Sequence, residues 1–249
     1  SINSLASPNG TEDKYVKYTT EQSVFVDYSS YSKQEHYNIM SSNFLSYMDN
    51  MPKDYYFMKK QSSSMSFNIF TEVSEGKYRQ IYGTSSIFYK GVYDLESLNE
   101  YYDVIKGDMP KEYNEIALVV DDWNRLSAGT LNKLGYPVET GLSVPGAKFS
   151  FDEILSKTYR YVTNDHYYTF DTTENKYVKA SLSDKEFYDL NDIELHFTGI
   201  LRRKKHNNVS VVSNGIFYTP AFEEMIIKIA NESEIVKKQL EEKTNYDVF

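Results

Sequence analysis

The sequence predicts an α+β fold, on three observations. Aromatics make up 16% of 249 residues, with 24 Tyr against 14 Phe, and tyrosine favours pleated, half-buried surfaces with its hydroxyl at the water boundary. Runs of apolar period two are separated by runs with steps of three and four. The two kinds interleave without a regular βαβ rhythm, which argues against a doubly wound sheet.

Taken in order, residues 22–30 (QSVFVDYSS) alternate around Val24, Val26 and Tyr28, a strand pattern. Residues 35–52 space Tyr37, Met40, Phe44, Leu45 and Met48 as an amphipathic helix closed by Pro52. Strands are expected at 55–59 and 65–71, then a short helix within 91–110 that ends in a Gly/Pro break at Gly107 and Pro110. That break is the clearest boundary in the chain. Beyond it, NEIALVV reads as a strand and residues 125–136 as a short helix stopped by Gly135. Ser150, with Glu153 three residues on, has the pattern of a capping box. Residues 158–180 read as two or three Tyr-rich strands with a turn at Asn164 and Asp165.

Residues 192–202 (DIELHFTGILR) alternate Ile193, Leu195 and Phe197 and continue through Ile200 and Leu201. They form the strongest strand signal in the chain. Thr219 is placed to cap a helix with Pro220 at its first position and a stripe of Phe222, Met225, Ile226 and Ile229. A last helix follows, capped by Asn231 or Ser233.

Composition narrows the function. A net charge of −9 disfavours nucleic acid as the main partner, because phosphate contacts need surplus Lys and Arg. Cysteine is absent, which removes disulfides, thiol nucleophiles and Cys-based zinc, and suits an extracytoplasmic bacterial segment. No apolar run approaches the ~20 residues of a membrane span. The opening SINSLASPNG lacks the basic and apolar regions of a signal peptide.

Each candidate for chemistry has a plainer reading beside it. The basic run Arg202, Arg203, Lys204 and Lys205, then His206, is read as a strand end entering a solvated loop, since no aromatic is interleaved with it. Asp165, His166 and Asp171 cluster in sequence, yet a turn before a strand explains them equally well. His36, His166, His196 and His206 show no metal-ligand spacing. GLSVPG misses the nucleophile-elbow spacing, and its Pro145 does not suit that turn. The acid pairs Asp121 with Asp122, Glu223 with Glu224 and Glu241 with Glu242 are read as solvated faces. No catalytic constellation emerges, so a binding, coupling or structural domain is expected, with no catalytic residue, cofactor or metal.

Three stretches then carry a resemblance. Residues 101–136 contain Tyr102 with Asp103, the Gly107 to Pro110 turn, Asn114 with Glu115, the apolar run into Asp121, Asn124 to Ser127, and Leu131 to Gly135. LHFTGILRRKK with SNGIFYTPAFEEMII follows, then NESEIVKKQLEE with NYDVF. In this order they resemble the extracytoplasmic domain of FtsX/MacB-like ABC-transporter permeases of Gram-positive bacteria. Arg203 departs from the pattern, which usually has proline there. The match runs from about Tyr101 to the C-terminus, and the first hundred residues match less well.

The resemblance implies one domain on the extracellular face of the plasma membrane, between two transmembrane helices of the same chain, with both termini near the bilayer. It implies two lobes: a porter-like, βαβ-rich α+β lobe from residues 1–106 and 190–249, and a smaller β-rich lobe inserted at 107–189. ATP would be hydrolysed by a separate ATP-binding cassette subunit or domain. This domain would couple that hydrolysis to export or sensing of a peptide, drug or lipid, or to an adaptor outside, with two permeases pairing in the full transporter. The alternatives are a surface lipoprotein or adhesin module and a secreted hydrolase built on Asp165, His166 and Asp171.

Overall fold

The computed structural model describes residues 15–29, 46, 50, 65–90, 95–208 and 210–242. The helix expected at 35–52, but for Ser46 and Asn50, and the strand at 55–59 lie outside them. The first half of the chain supplies β1 (Ser23–Asp27), β2 (Ile69–Ser74), β3 (Lys77–Ile81), β4 (Phe88–Lys90), α1 (Leu95–Tyr101), β5 (Tyr102–Gly107) and β6 (Glu115–Val120). Then come β7 (Arg125–Ser127), α2 (Ala128–Lys133), β8 (Lys148–Ser150), α3 (Phe151–Leu155), β9 (Thr158–Tyr161), α4 (Asn164–Tyr167), β10 (Tyr168–Asp171), β11 (Lys176–Lys179) and α5 (Asp184–Asp189). The chain closes with β12 (Ile193–Arg203), β13 (Gly215–Tyr218), α6 (Pro220–Glu232) and α7 (Glu234–Glu242).

The fold is α+β. Eight strands make the main sheet in the order β3-β2-β9-β12-β6-β13-β4, with β5 also on β12. This sheet curls into a half-barrel. A second sheet has the order β7-β1-β8, and β10 and β11 form a separate hairpin.

β12 is the spine. It runs parallel to β6 along one edge. On the other edge its first half pairs with β9 and its second half with β5, both antiparallel. Its burial alternates at first and then becomes continuous through Gly199, Ile200 and Leu201. The change follows from cover on both faces. Ile200 belongs on one side to the core cluster that also holds Phe222 and Ile226 of α6, Leu131 of α2 and Phe151 of α3. Leu201 belongs on the other to the cluster of Leu98 of α1, Tyr102 and Val212. β6 divides its side chains likewise, with Ile116, Leu118 and Val120 on the first face and Ala117 and Val119 on the second. Burial on both faces is why IALVV, residues 116–120, reads as a solid apolar run.

Gly107 and Gly199 face each other where β5 meets β12. A Cβ on Gly107 would lie 2.1 Å from the Thr198 carbonyl oxygen, and one on Gly199 would lie 2.2 Å from that of Asp108. Gly107 also has φ +71. Both positions demand glycine.

The main sheet and its core draw on both sides of the expected boundary at Gly107. β6 and β9, from within 107–189, pair with β12, and β9 also pairs with β2. No break in the sheet marks that position.

Local expectations fare unevenly. Ser150 and Glu153 form the capping box, and Ser183 with Glu186 forms a second one at α5. Thr219 caps α6 with Pro220 at the start, and the Ser233 hydroxyl accepts from Val236 N at α7. Three expectations need correction. Residues 65–68 are not strand, because Phe67 N donates to the Thr84 hydroxyl instead of to a neighbouring strand. Residues 125–127 are β7, pulled out of the helical run by parallel pairing with β1. The turn at Asn164 and Asp165 is the short helix α4, whose entry is held by Asp192 accepting from Thr163 N and Oγ1.

Candidate functional site

The basic run does not behave as a solvated loop throughout. Arg202 and Arg203 are the last residues of β12, and only Lys205 and His206 of the run are exposed. Arg203 donates from Nη2 to Asp122 Oδ2 at 2.6 Å, and Lys17 reaches the same oxygen at 3.1 Å. Arg202 Nη1 donates to Thr19 O at 2.9 Å and to Asn124 Oδ1 at 2.8 Å, with its guanidinium over the Tyr18 ring. The run is therefore partly a clasp that fastens a strap, residues 15–20, across the end of β12.

The same clasp corrects the reading of two acid pairs. Asp122 is 5% exposed, and Asp121 accepts from Arg125 Nε and from the amides of Trp123 and Arg125. Burial pushes the Asp122 carboxyl up, but the bonds from Arg203 and Lys17 outweigh it and hold the group below the ordinary aspartate value. Asn124 sits at φ 57, a conformation that asparagine tolerates better than most residues, and donates from Nδ2 to Glu21 O. Trp123 lies under Lys17 at 5.1 Å and Arg125 at 4.6 Å. On α6, Glu223 pairs with Lys90, both side chains being 10% exposed. Sequence reasoning missed the partners of Asp122 and Glu223 because each meets a base far away in the chain.

The hydrolase candidates do not converge. His166 Nδ1 meets Asp192 Oδ1 at 2.7 Å. Asp165 Oδ1 accepts from Glu234 N at the start of α7, and Asp171 Oδ1 accepts from the amides of Thr173 and Glu174. Each carboxylate is occupied with local backbone or with a neighbouring element. Among the described residues no group of three His, Asp or Glu could hold a metal ion. GLSVPG lies on a loop whose residues 139–146 are all exposed. His196 is half-buried on β12, opposite the buried Leu195 and Phe197.

A groove of 480 Å³ opens where β2 parts from β9. Glu72, Glu75, Tyr136, Phe149, Lys157 and Tyr188 are among the side chains that line it. The strands pair only at Ile69 with Tyr161 and Phe70 with Arg160. Past that point Lys157 Nζ reaches across and donates to Glu72 O at 2.6 Å. The ammonium lies 5.1 Å from the Tyr136 ring centroid. Burial and the Arg79 guanidinium push Lys157 down to about 8, opposed by the Glu72 carboxylate. Nothing in the sequence around Lys157 marks it, since its partner is contributed by a strand 85 residues away.

The N-terminal strap is fastened to the end of β12 at Arg202, whereas the last helix starts against Asp165 of α4. Among the described residues no helix is long and apolar enough to cross a membrane. Comparison with family models, curated proteins and solved structures finds no match to this chain.

Proposed function

We propose that this chain is the extracytoplasmic domain of a MacB-like ABC-transporter permease and acts as a mechanical coupler. It would transmit the state of a cytoplasmic ATP-binding cassette subunit to a substrate or adaptor on the outer face of the plasma membrane. The observation that carries the reading is where the three resembling stretches fall. NEIALVV is β6, LHFTGILRR is in β12, and GIFYTPAFEEMII is β13 with α6. β12, β6 and β13 are adjacent strands, so the resemblance covers one packed unit at the centre of the sheet. Residues 234–242 of the third stretch form α7, which follows α6 directly.

The fastening of the chain ends supports a coupling role. A strand of 11 residues spans about 36 Å. With the strap bonded to Arg202 and, through Asp122, to Arg203 at the end of β12, a pull on it is borne by the spine strand. The reading also requires both ends to reach one bilayer.

The test is made on the native protein. An antibody to this domain is used to blot membranes washed with alkaline carbonate. A band well above 29.0 kDa that stays in the membrane is expected. A band near that mass, released by the wash or found in the medium, overturns the permease reading and favours a surface or secreted module.

A further inference from the structure

We propose that the groove at Lys157 is a covalent capture site for small uncharged aromatic aldehydes, which form an imine on Lys157 Nζ. The inference is independent of the permease reading.

It begins with the partner of the amine. Lys17, Lys90, Lys106, Lys148, Lys185 and Lys237 each meet a carboxylate. A carboxylate neighbour stabilises the ammonium and so suppresses the nucleophilic neutral amine. Lys157 has no ion pair among the described residues, and its hydrogen bond goes to the Glu72 backbone carbonyl. That bond uses one N–H and fixes Nζ at the wall of the groove that Lys157 lines. The Gly135 backbone makes room for the stem: a Cβ there would lie 3.2 Å from Lys157 Cε.

The groove supplies the rest. Tyr136 lies against the amine, and Phe149 and Tyr188 add aromatic walls. A volume of 480 Å³ falls in the range that holds small organic ligands. Glu75 and Glu153 at the lining, with Glu72, oppose an anionic ligand, so an uncharged aldehyde suits the site better than a phosphorylated or carboxylated one. Burial and Arg79 lower the amine to about 8. At pH 8 about half of it is neutral, against roughly 0.4% for an ordinary lysine. This is the usual activation of a lysine that attacks carbonyls.

The step balances without a further reactant. The neutral Nζ adds its electron pair to the aldehyde carbon, giving a carbinolamine. That intermediate loses its hydroxyl with a proton as water, and the imine remains. Removal of the aldehyde and addition of water reverse it.

The test uses the whole chain with limiting benzaldehyde and sodium cyanoborohydride, which traps the imine as a stable benzylamine. Peptide mass mapping then ranks the lysines. At pH 8 the Lys157 adduct is expected to form at least about 10-fold faster than the adduct at Lys185, whose amine is held up by Asp189. The Lys157 rate is expected to level off above about pH 8, with burial, Arg79 and Glu72 setting the midpoint and Glu75 and Glu153 the other charged groups at the groove. Arg79→Gln is expected to slow labelling several-fold at pH 7 while leaving Lys157 in place. 4-Carboxybenzaldehyde is expected to react more slowly than benzaldehyde. Labelling of Lys157 no faster than Lys185 overturns the site. Equal or faster reaction of the carboxylated aldehyde overturns the assigned ligand class.

Discussion

Replacing Asp122 with Asn removes the charge on which Arg203 and Lys17 converge. The Asp122 side chain is 6% exposed, Arg203 is 23% exposed and Lys17 is 51% exposed. The half-exposed Lys17 contact contributes at most about 1 kcal/mol. The Arg203 bond is charge-assisted and largely screened from water, so its loss costs about 1.5–3 kcal/mol. Asparagine keeps one acceptor oxygen, which places the expected loss near 2 kcal/mol. For a chain of this size that lowers Tm by roughly 4–8 °C. Thermal and urea unfolding followed by circular dichroism measure it. Trp123 is the one tryptophan in the chain and touches Lys17, so its fluorescence reports release of the strap separately. The pH dependence carries a sign. Asp122 titrates below its ordinary value when folded, so the unfolded chain takes up this proton first. The stabilisation is fully present above about pH 5 and fades as pH falls below about 3.9 toward the folded value. Asp122→Asn flattens that acid limb. Arg203→Gln and the double variant complete a cycle whose coupling energy is expected above about 1 kcal/mol. An unchanged urea midpoint together with additive variants refutes the clasp.

Other expectations follow from single contacts. Gly199→Ala drives a Cβ into the Asp108 carbonyl at 2.2 Å and is expected to cost more than about 4 kcal/mol, seen as loss of soluble protein or of the cooperative melt. Glu223→Gln leaves Lys90 charged and buried, with an expected loss of about 3 kcal/mol in urea unfolding. Lys90→Met combined with Glu223→Leu should recover most of that loss, because apolar replacement removes the desolvation cost of both ions. Ser150→Ala and Ser183→Ala each remove the acceptor of a capping box, with about 1 kcal/mol lost per site by the same assay.

Much of the architecture was legible from period and caps. β1, β6 and β12 announce themselves because their buried side chains come from neighbouring positions in the chain. The caps at Ser150 and Thr219 are equally readable, since the hydroxyl and the amide it satisfies lie within three residues. β3 and β4 gave no signal: Lys77–Ile81 has a half-exposed face, and Phe88–Lys90 is only three residues long. The clasp was legible only as charge. Nothing local distinguishes Arg203, which is bonded to a residue 81 positions away, from Lys205, which is exposed.

The sequence by itself determined the α+β class, the spine strand and the starts of α3 and α6, because these depend on interactions within a few residues. The tertiary structure decided which charges are buried, that residues on both sides of Gly107 share one sheet, and that Lys157 ends in a groove beside a backbone carbonyl. Those outcomes depend on pairings between distant segments, and the strength of a charge or an amine is set by what those pairings take out of water.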